Sequence, residues 1–220
     1  MAFTRNMLGF TLDPRVDKAL LTARDAARAG YEVVEADLPM FKEASTDALR
    51  ALFGEVKALM AADVRKHGSK TINQVFDDYF RAFPPYEGNE LLLAMARRSA
   101  YVRAWQLFLE EYPLVLTPFL PAPTYAWDRD TQGADGVREV MGQAVYSSVI
   151  NFVGLPAGNI AADFNDGLPI GVQLIGRRFR EDQILDACEA IEQRVRVMAE
   201  RLFARDAAGS LCRRCQRAVR

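Results

Sequence analysis

Few side chains in this sequence stand in arrangements that could make or break a covalent bond. Ser147 and Ser148 are adjacent, His67 is the sole histidine, and Asp77-Asp78 and Glu110-Glu111 are neighbouring carboxylates. Cys212 and Cys215 form a CxxC near the C-terminus. A serine nucleophile needs a base within hydrogen-bond reach and a nest of N–H donors for the oxyanion. Ser147 and Ser148 lie between Tyr146 and Val149 in a helical pattern. No glycine loop presents them, so they read as structural. His67, in Arg-Lys-His-Gly-Ser-Lys, reads as a solvated helix-end residue. Carboxylates adjacent in sequence point in different directions and cannot share a substrate. Zinc requires four ligands, and neither a second CxxC nor a paired histidine completes Cys212 and Cys215. Cys188 sits in a helical pattern as a small core residue. The sequence therefore offers no catalytic residue, no metal site and no cofactor site. What remains unusual is Gln173, a polar residue inside an apolar run.

The elements around these residues are legible from periodicity and punctuation. Asp13-Pro14 reads as a cap and first turn of a helix with stripe Val16, Leu20, Ala23 and Ala27, closed by Gly30. A short strand is expected in YEVVEADLP, then a long helix carrying Leu49 through Val64 and a shorter one carrying Ile72 through Phe80. The next helix has a seam of Leu91, Met95, Val102, Trp105, Leu109 and Tyr112 that only Arg98 breaks. Leu114 to Leu116 reads as a buried strand running into a proline-rich loop. Asp135 is placed to cap a helix with stripe Val140, Met141, Ala144, Ser148 and Phe152. Gly-Leu-Pro then occurs twice, at 154–156 and 167–169. Glycine ends a helix or turn, and proline forbids a helix while permitting strand entry. Strands 157–162 and 170–175 follow, joined at Asn165-Asp166-Gly167 as an antiparallel pair. The last helix begins at Glu181-Asp182, with a stripe of Ile184, Leu185, Cys188, Ile191, Val195, Met198 and Leu202.

In order, Asn151, Gly154, Pro156, Ala157, Gly167 to Gly176, Phe179 and a helical glutamate at 189 or 192 resemble the C-terminal portion of the amidase signature family. DPRVDKALLTARDAARAGYEVVEADLP and YPLVLTPFLPAP resemble earlier parts of that family, so the likeness covers about residues 7 to 193. It implies an α/β fold, part of a mixed β-sheet covered by helices, and the hydrolysis of carboxamide C–N bonds by a serine, a second serine in a cis peptide and a lysine. The family carries both serines in a Gly-Gly-Ser-Ser-Gly-Gly type segment, and no Gly-Gly-Ser occurs here. The resemblance therefore implies a truncated amidase, inactive alone. The alternative is a non-catalytic binding or scaffold subunit that complements a separate N-terminal half. Thr117, Pro118, Phe119, Asn151 and Gln173 are the expected pocket lining. A small amide is expected as substrate only when the other half is present, and self-association is expected through an exposed sheet.

Bulk properties fit one domain at 1–205 and a basic tail at 206–220, expected to be disordered. The 220 residues are 50% hydrophobic with a formal net charge of −1, which exerts no pull toward nucleic acid or membrane. Arginines outnumber lysines, and Arg213, Arg214, Arg217 and Arg220 crowd the tail. No apolar run reaches the roughly 20 residues that span a bilayer. The expected location is the cytoplasm.

Overall fold

A computed structural model describes residues 1–165, 167–196 and 198–207. Strand β1 (Ala2–Phe3) leads to α1 (Pro14–Ala27) and then to β2 (Val34–Glu35). Four helices follow: α2 (Phe41–Leu59), α3 (Ala61–His67), α4 (Lys70–Ala82) and α5 (Asn89–Glu111). After β3 (Leu114–Pro118) come a 3₁₀ turn (Arg129–Thr131), the short α6 (Gly133–Val137), a π-helical turn (Arg138–Gly142) and α7 (Val145–Val153). The chain continues through β4 (Ala157–Asn165), β5 (Leu168–Gly176), α8 (Glu181–Val195) and α9 (Met198–Ala207).

The five strands form one mixed sheet in the order β2-β1-β3-β5-β4. β1 runs parallel to both β2 and β3, while β5 is antiparallel to β3 and to β4. Because strand side chains alternate between faces, the sheet feeds two cores. Phe3, Leu114, Leu116, Val172 and Leu174 pack with Val16, Leu20, Ile184 and Ile191 of α1 and α8. Ala2, Val115 and Ile175 pack on the other side with Phe41, Trp105, Leu109, Tyr146, Val149 and Ile150 of α2, α5 and α7.

The punctuation of the 154–176 stretch does what its residues require. Gly154 follows α7 with φ of +70°, and its N–H bonds the Ile150 and Asn151 carbonyls. β4 and β5 then pair along their length from Ala157↔Ile175 to Asn165↔Leu168, with an irregularity between Ala161 and Asp163. Gly176 is fixed by close approach. A methyl there would meet Ile184 Cγ1 at 2.7 Å, and one at Gly158 would meet Ile184 Cγ2 at 2.7 Å. Helix α8 thus seats Ile184 directly on the backbone of two neighbouring strands. Gly176→Ala should lift that helix and lower stability by about 1–3 kcal/mol, the usual range for overpacking. Urea unfolding measures it, and an unchanged midpoint would mean that the sheet absorbs the methyl.

Several expectations are corrected. The helix expected through Val64 breaks at Met60, where φ is −121°. α1 ends at Ala27 with a right-handed Arg28 cap, and Gly30 has no left-handed role. Asp135 lies inside α6 rather than at its cap and accepts from Arg138 Nη1 at 2.8 Å. α7 buries Val145, Tyr146, Val149, Ile150 and Val153, not the stripe through Ala144, Ser148 and Phe152. The helical pattern after 181 is interrupted at Arg196, with φ of +72°, and Leu185 is exposed. Residues 208–220, including Cys212 and Cys215, lie outside the described residues. No described helix is long and apolar enough to cross a membrane.

Candidate functional site

The misplaced stripe of α7 has a use. Met141, Ala144, Ser148 and Phe152, together with Ser147 and Asn151, form one wall of an open groove of about 610 Å³. Ala48, Ala51, Leu52 and Glu55 of α2 form the second wall, and Met95 and Arg98 of α5 the third. The volume and the mainly apolar lining with a few polar groups suit a small organic ligand. Arg98, the break in the α5 seam, is explained here. Its Nε donates to the Phe152 carbonyl, and its guanidinium sits 6.0 Å from the Phe152 ring centroid.

The groove's α2 and α5 walls are tied by a carboxylate hub. Asp47 accepts from Tyr86 Oη at 2.9 Å, Tyr101 Oη at 2.8 Å, Arg97 Nε at 2.8 Å and Arg97 Nη2 at 2.9 Å. Burial alone would raise this carboxyl, but the guanidinium and the two hydroxyls outweigh burial and hold it below the usual carboxylate range. Nothing in the sequence marked Asp47. Its three partners lie 39 to 54 residues away, and only the fold unites them.

The five residues expected to line a pocket divide. Asn151 is on the groove wall. Thr117 and Pro118 are buried in β3, Gln173 is buried in β5, and Phe119 follows β3 half-buried. Thr117 and Gln173 are direct register partners. Both stand on the Val115/Ile175 face, in a polar row that runs from Thr4, whose N–H bonds Leu116, to Asn159 on β4. Thr117 Oγ1 and Gln173 Oε1 are buried with no partner among the described residues. An unsatisfied buried polar atom costs roughly 1–3 kcal/mol. Asn73 Oδ1, Trp105 Nε1 and Gln183 Oε1 are also unpartnered among the described residues, but only Thr117 and Gln173 face each other across two paired strands. Ser148 Oγ donates to Ala144 O at 3.0 Å, an intrahelical bond. Among the described residues no three His, Cys, Asp or Glu side chains gather as a metal site.

Known proteins resemble the chain over most of its length. The family model Amidase matches residues 1–185. The indoleacetamide hydrolase of Bradyrhizobium japonicum is 38% identical over 194 residues, covering 87% of this chain and 42% of that protein. The A component of the glutamyl-tRNA(Gln) amidotransferase of Clostridium botulinum is 26% identical over 206 residues, covering 83% of this chain and 42% of that protein. Among solved structures, a bacterial aryl acylamidase of the amidase signature enzymes superposes with a TM-score of 0.67 at 19% identity. That match covers 88% of this chain and 43% of that one. The chain thus spans about two fifths of the length of these relatives.

Proposed function

The chain belongs to the amidase family, and we propose that it is the C-terminal portion of an amide hydrolase. In this reading it forms one wall of the substrate site, and the nucleophile, its activating serine and the lysine come from residues outside it. The observation that carries the reading is the pair of unpartnered buried atoms, Thr117 Oγ1 and Gln173 Oε1, in a chain that the family model matches over residues 1–185. The groove between α2, α5 and α7 accepts the apolar body of the substrate, with Asn151 at its wall. An arylacetamide of the indoleacetamide kind is the proposed substrate, on the strength of the 38% identity to a hydrolase of that name.

Co-expression with the N-terminal portion of the Bradyrhizobium japonicum indoleacetamide hydrolase tests this. Ammonia release from indoleacetamide should require both pieces and should fall at least tenfold with Gln173→Leu. A soluble complex of the two pieces that hydrolyses no carboxamide would sink the proposal.

The missing partner also bears on association. β4 pairs only with β5 among the described residues, so its outer edge has no strand partner there, although α9 packs against β4. A nine-residue edge without a strand partner is a template for another strand. Leu59, Leu92, Leu93 and Leu107 add exposed apolar surface on the helices. Sedimentation velocity of the purified chain should show self-association that the N-terminal piece suppresses. A concentration-independent monomer would refute it.

A further inference from the structure

Helix α7 ends against two arginines. Arg98 Nε donates to the Phe152 carbonyl; Arg178 Nε donates to Gly154 O at 2.7 Å and its Nη2 to Val153 O at 2.5 Å. A methyl built at Gly154 would stand 2.9 Å from Arg178 Nη2 and 3.5 Å from Arg98 Nη2, so both guanidinium tips lie beside one backbone position. The helix C-terminus is the negative end of the dipole and draws cations. Two guanidiniums side by side nonetheless repel each other. Neighbouring arginines resolve their charge on carboxylates, Arg97 on Asp47 and Arg177 on Glu110 at 3.0 Å. Arg98 and Arg178 make no ion pair among the described residues, and the Nη groups of Arg98 and Nη1 of Arg178 have no acceptor there.

We infer that Arg98 and Arg178 form a carboxylate-binding spot at one end of the groove, and that the ligand it takes is an acid with an apolar body. The planar fork of arginine suits a carboxylate, which accepts two N–H bonds at once. Arg98 is itself a groove residue beside Phe152, Met95 and Ala144, so a carboxylate at the arginines directs its apolar body along those side chains. Arg178 also lines a second hollow with Leu107, Leu155, Gln106, Arg177 and Glu110, the carboxylate there being the one that pairs with Arg177. Glu55, the groove's own carboxylate, is solvent-exposed and pairs with neither arginine. The identity of the acid rests on the amide-hydrolase reading. Hydrolysis turns a neutral carboxamide into a carboxylate, so the product acid is the ligand this end of the groove retains, and it competes with the next substrate molecule.

Calorimetric titration of the full 220-residue chain with phenylacetate, phenylacetamide and acetate tests the spot. Phenylacetate should bind at least tenfold more tightly than phenylacetamide, which lacks the charge, and than acetate, which lacks the body. Arg98→Ala and Arg178→Ala should each weaken phenylacetate about tenfold or more, whereas Arg178→Lys should restore part of the loss. The lysine variant separates lost charge from lost folding. Equal affinity for acid and amide, or phenylacetate binding unchanged in both alanine variants, would overturn the inference. Ammonia release by the reconstituted enzyme without phenylacetate binding also overturns it and leaves the hydrolase reading intact. Binding without hydrolysis upholds the spot and counts against the hydrolase.

Discussion

Purified on its own, the chain should release no ammonia from a carboxamide above a heat-treated control. Acyl transfer by serine requires a base to take its proton and preorganised N–H donors for the oxyanion, and losing one such donor costs about 10²–10³ in rate. Ser148 Oγ is committed to the Ala144 carbonyl within its own helix. Ser147 lies in the first turn of the same helix, and its hydroxyl makes no hydrogen bond to a basic side chain among the described residues. His67 closes α3, while both serines lie on α7. The measurement is ammonia release from indoleacetamide at high protein concentration, with and without a serine-directed phosphonate. Turnover that the phosphonate abolishes would return attention to Ser147 and Ser148 and overturn the division of labour proposed above.

Asp47→Leu should destabilise the fold by roughly 3 kcal/mol, in line with removing one member of a buried, hydrogen-bonded charge cluster. The carboxylate is 6% exposed and Arg97 47% exposed, so solvent takes up part of the arginine's loss while the hydroxyls of Tyr86 and Tyr101 stay orphaned. The loop carrying Tyr86 should loosen as well. It is held to α2 by Tyr86 N on Arg50 O at 3.1 Å, Arg50 Nε on Pro84 O at 2.8 Å and the Arg50 guanidinium 4.0 Å from the Tyr86 ring. Acid should show the same dependence. The Asp47 carboxyl is depressed in the folded chain, so its stabilisation is present above the unfolded value of about 3.9 and is lost as pH falls through the folded value. Urea unfolding at pH 7 and below pH 4 should find wild type and Asp47→Asn far apart at neutral pH and converging in acid. A constant gap across that range would place the effect in packing rather than in charge.

The local elements were written in the sequence wherever one residue decides a backbone state. Asp13-Pro14 caps and starts α1, and Asp13 Oδ1 accepts the Arg15 N–H at 2.8 Å. Gly154 ends α7 and the first Gly-Leu-Pro launches β4, whereas the second lies across the start of β5, which begins at Leu168 rather than at the expected Ile170. The ordered run from Asn151 to Phe179 carried the family likeness, and four of its glycines are held by geometry in this chain, Gly154 and Gly167 by positive φ and Gly158 and Gly176 by close approach to Ile184. Three things were decided only by tertiary structure. β1 has two residues, too few to show alternation, yet it lies between β2 and β3 because parallel pairing and burial on both faces hold it there. The face that α7 buries could not be read from its periodicity. A helix of nine residues with apolar side chains on both sides can turn either to the sheet, and the choice depends on which neighbour covers it. The groove, the Asp47 hub and the Arg98–Arg178 pair each join side chains from elements distant in sequence. No local rule brings such groups together. Their meeting follows from the packing of α2, α5 and α7 over one face of the sheet, and the chemistry of the site follows from that packing.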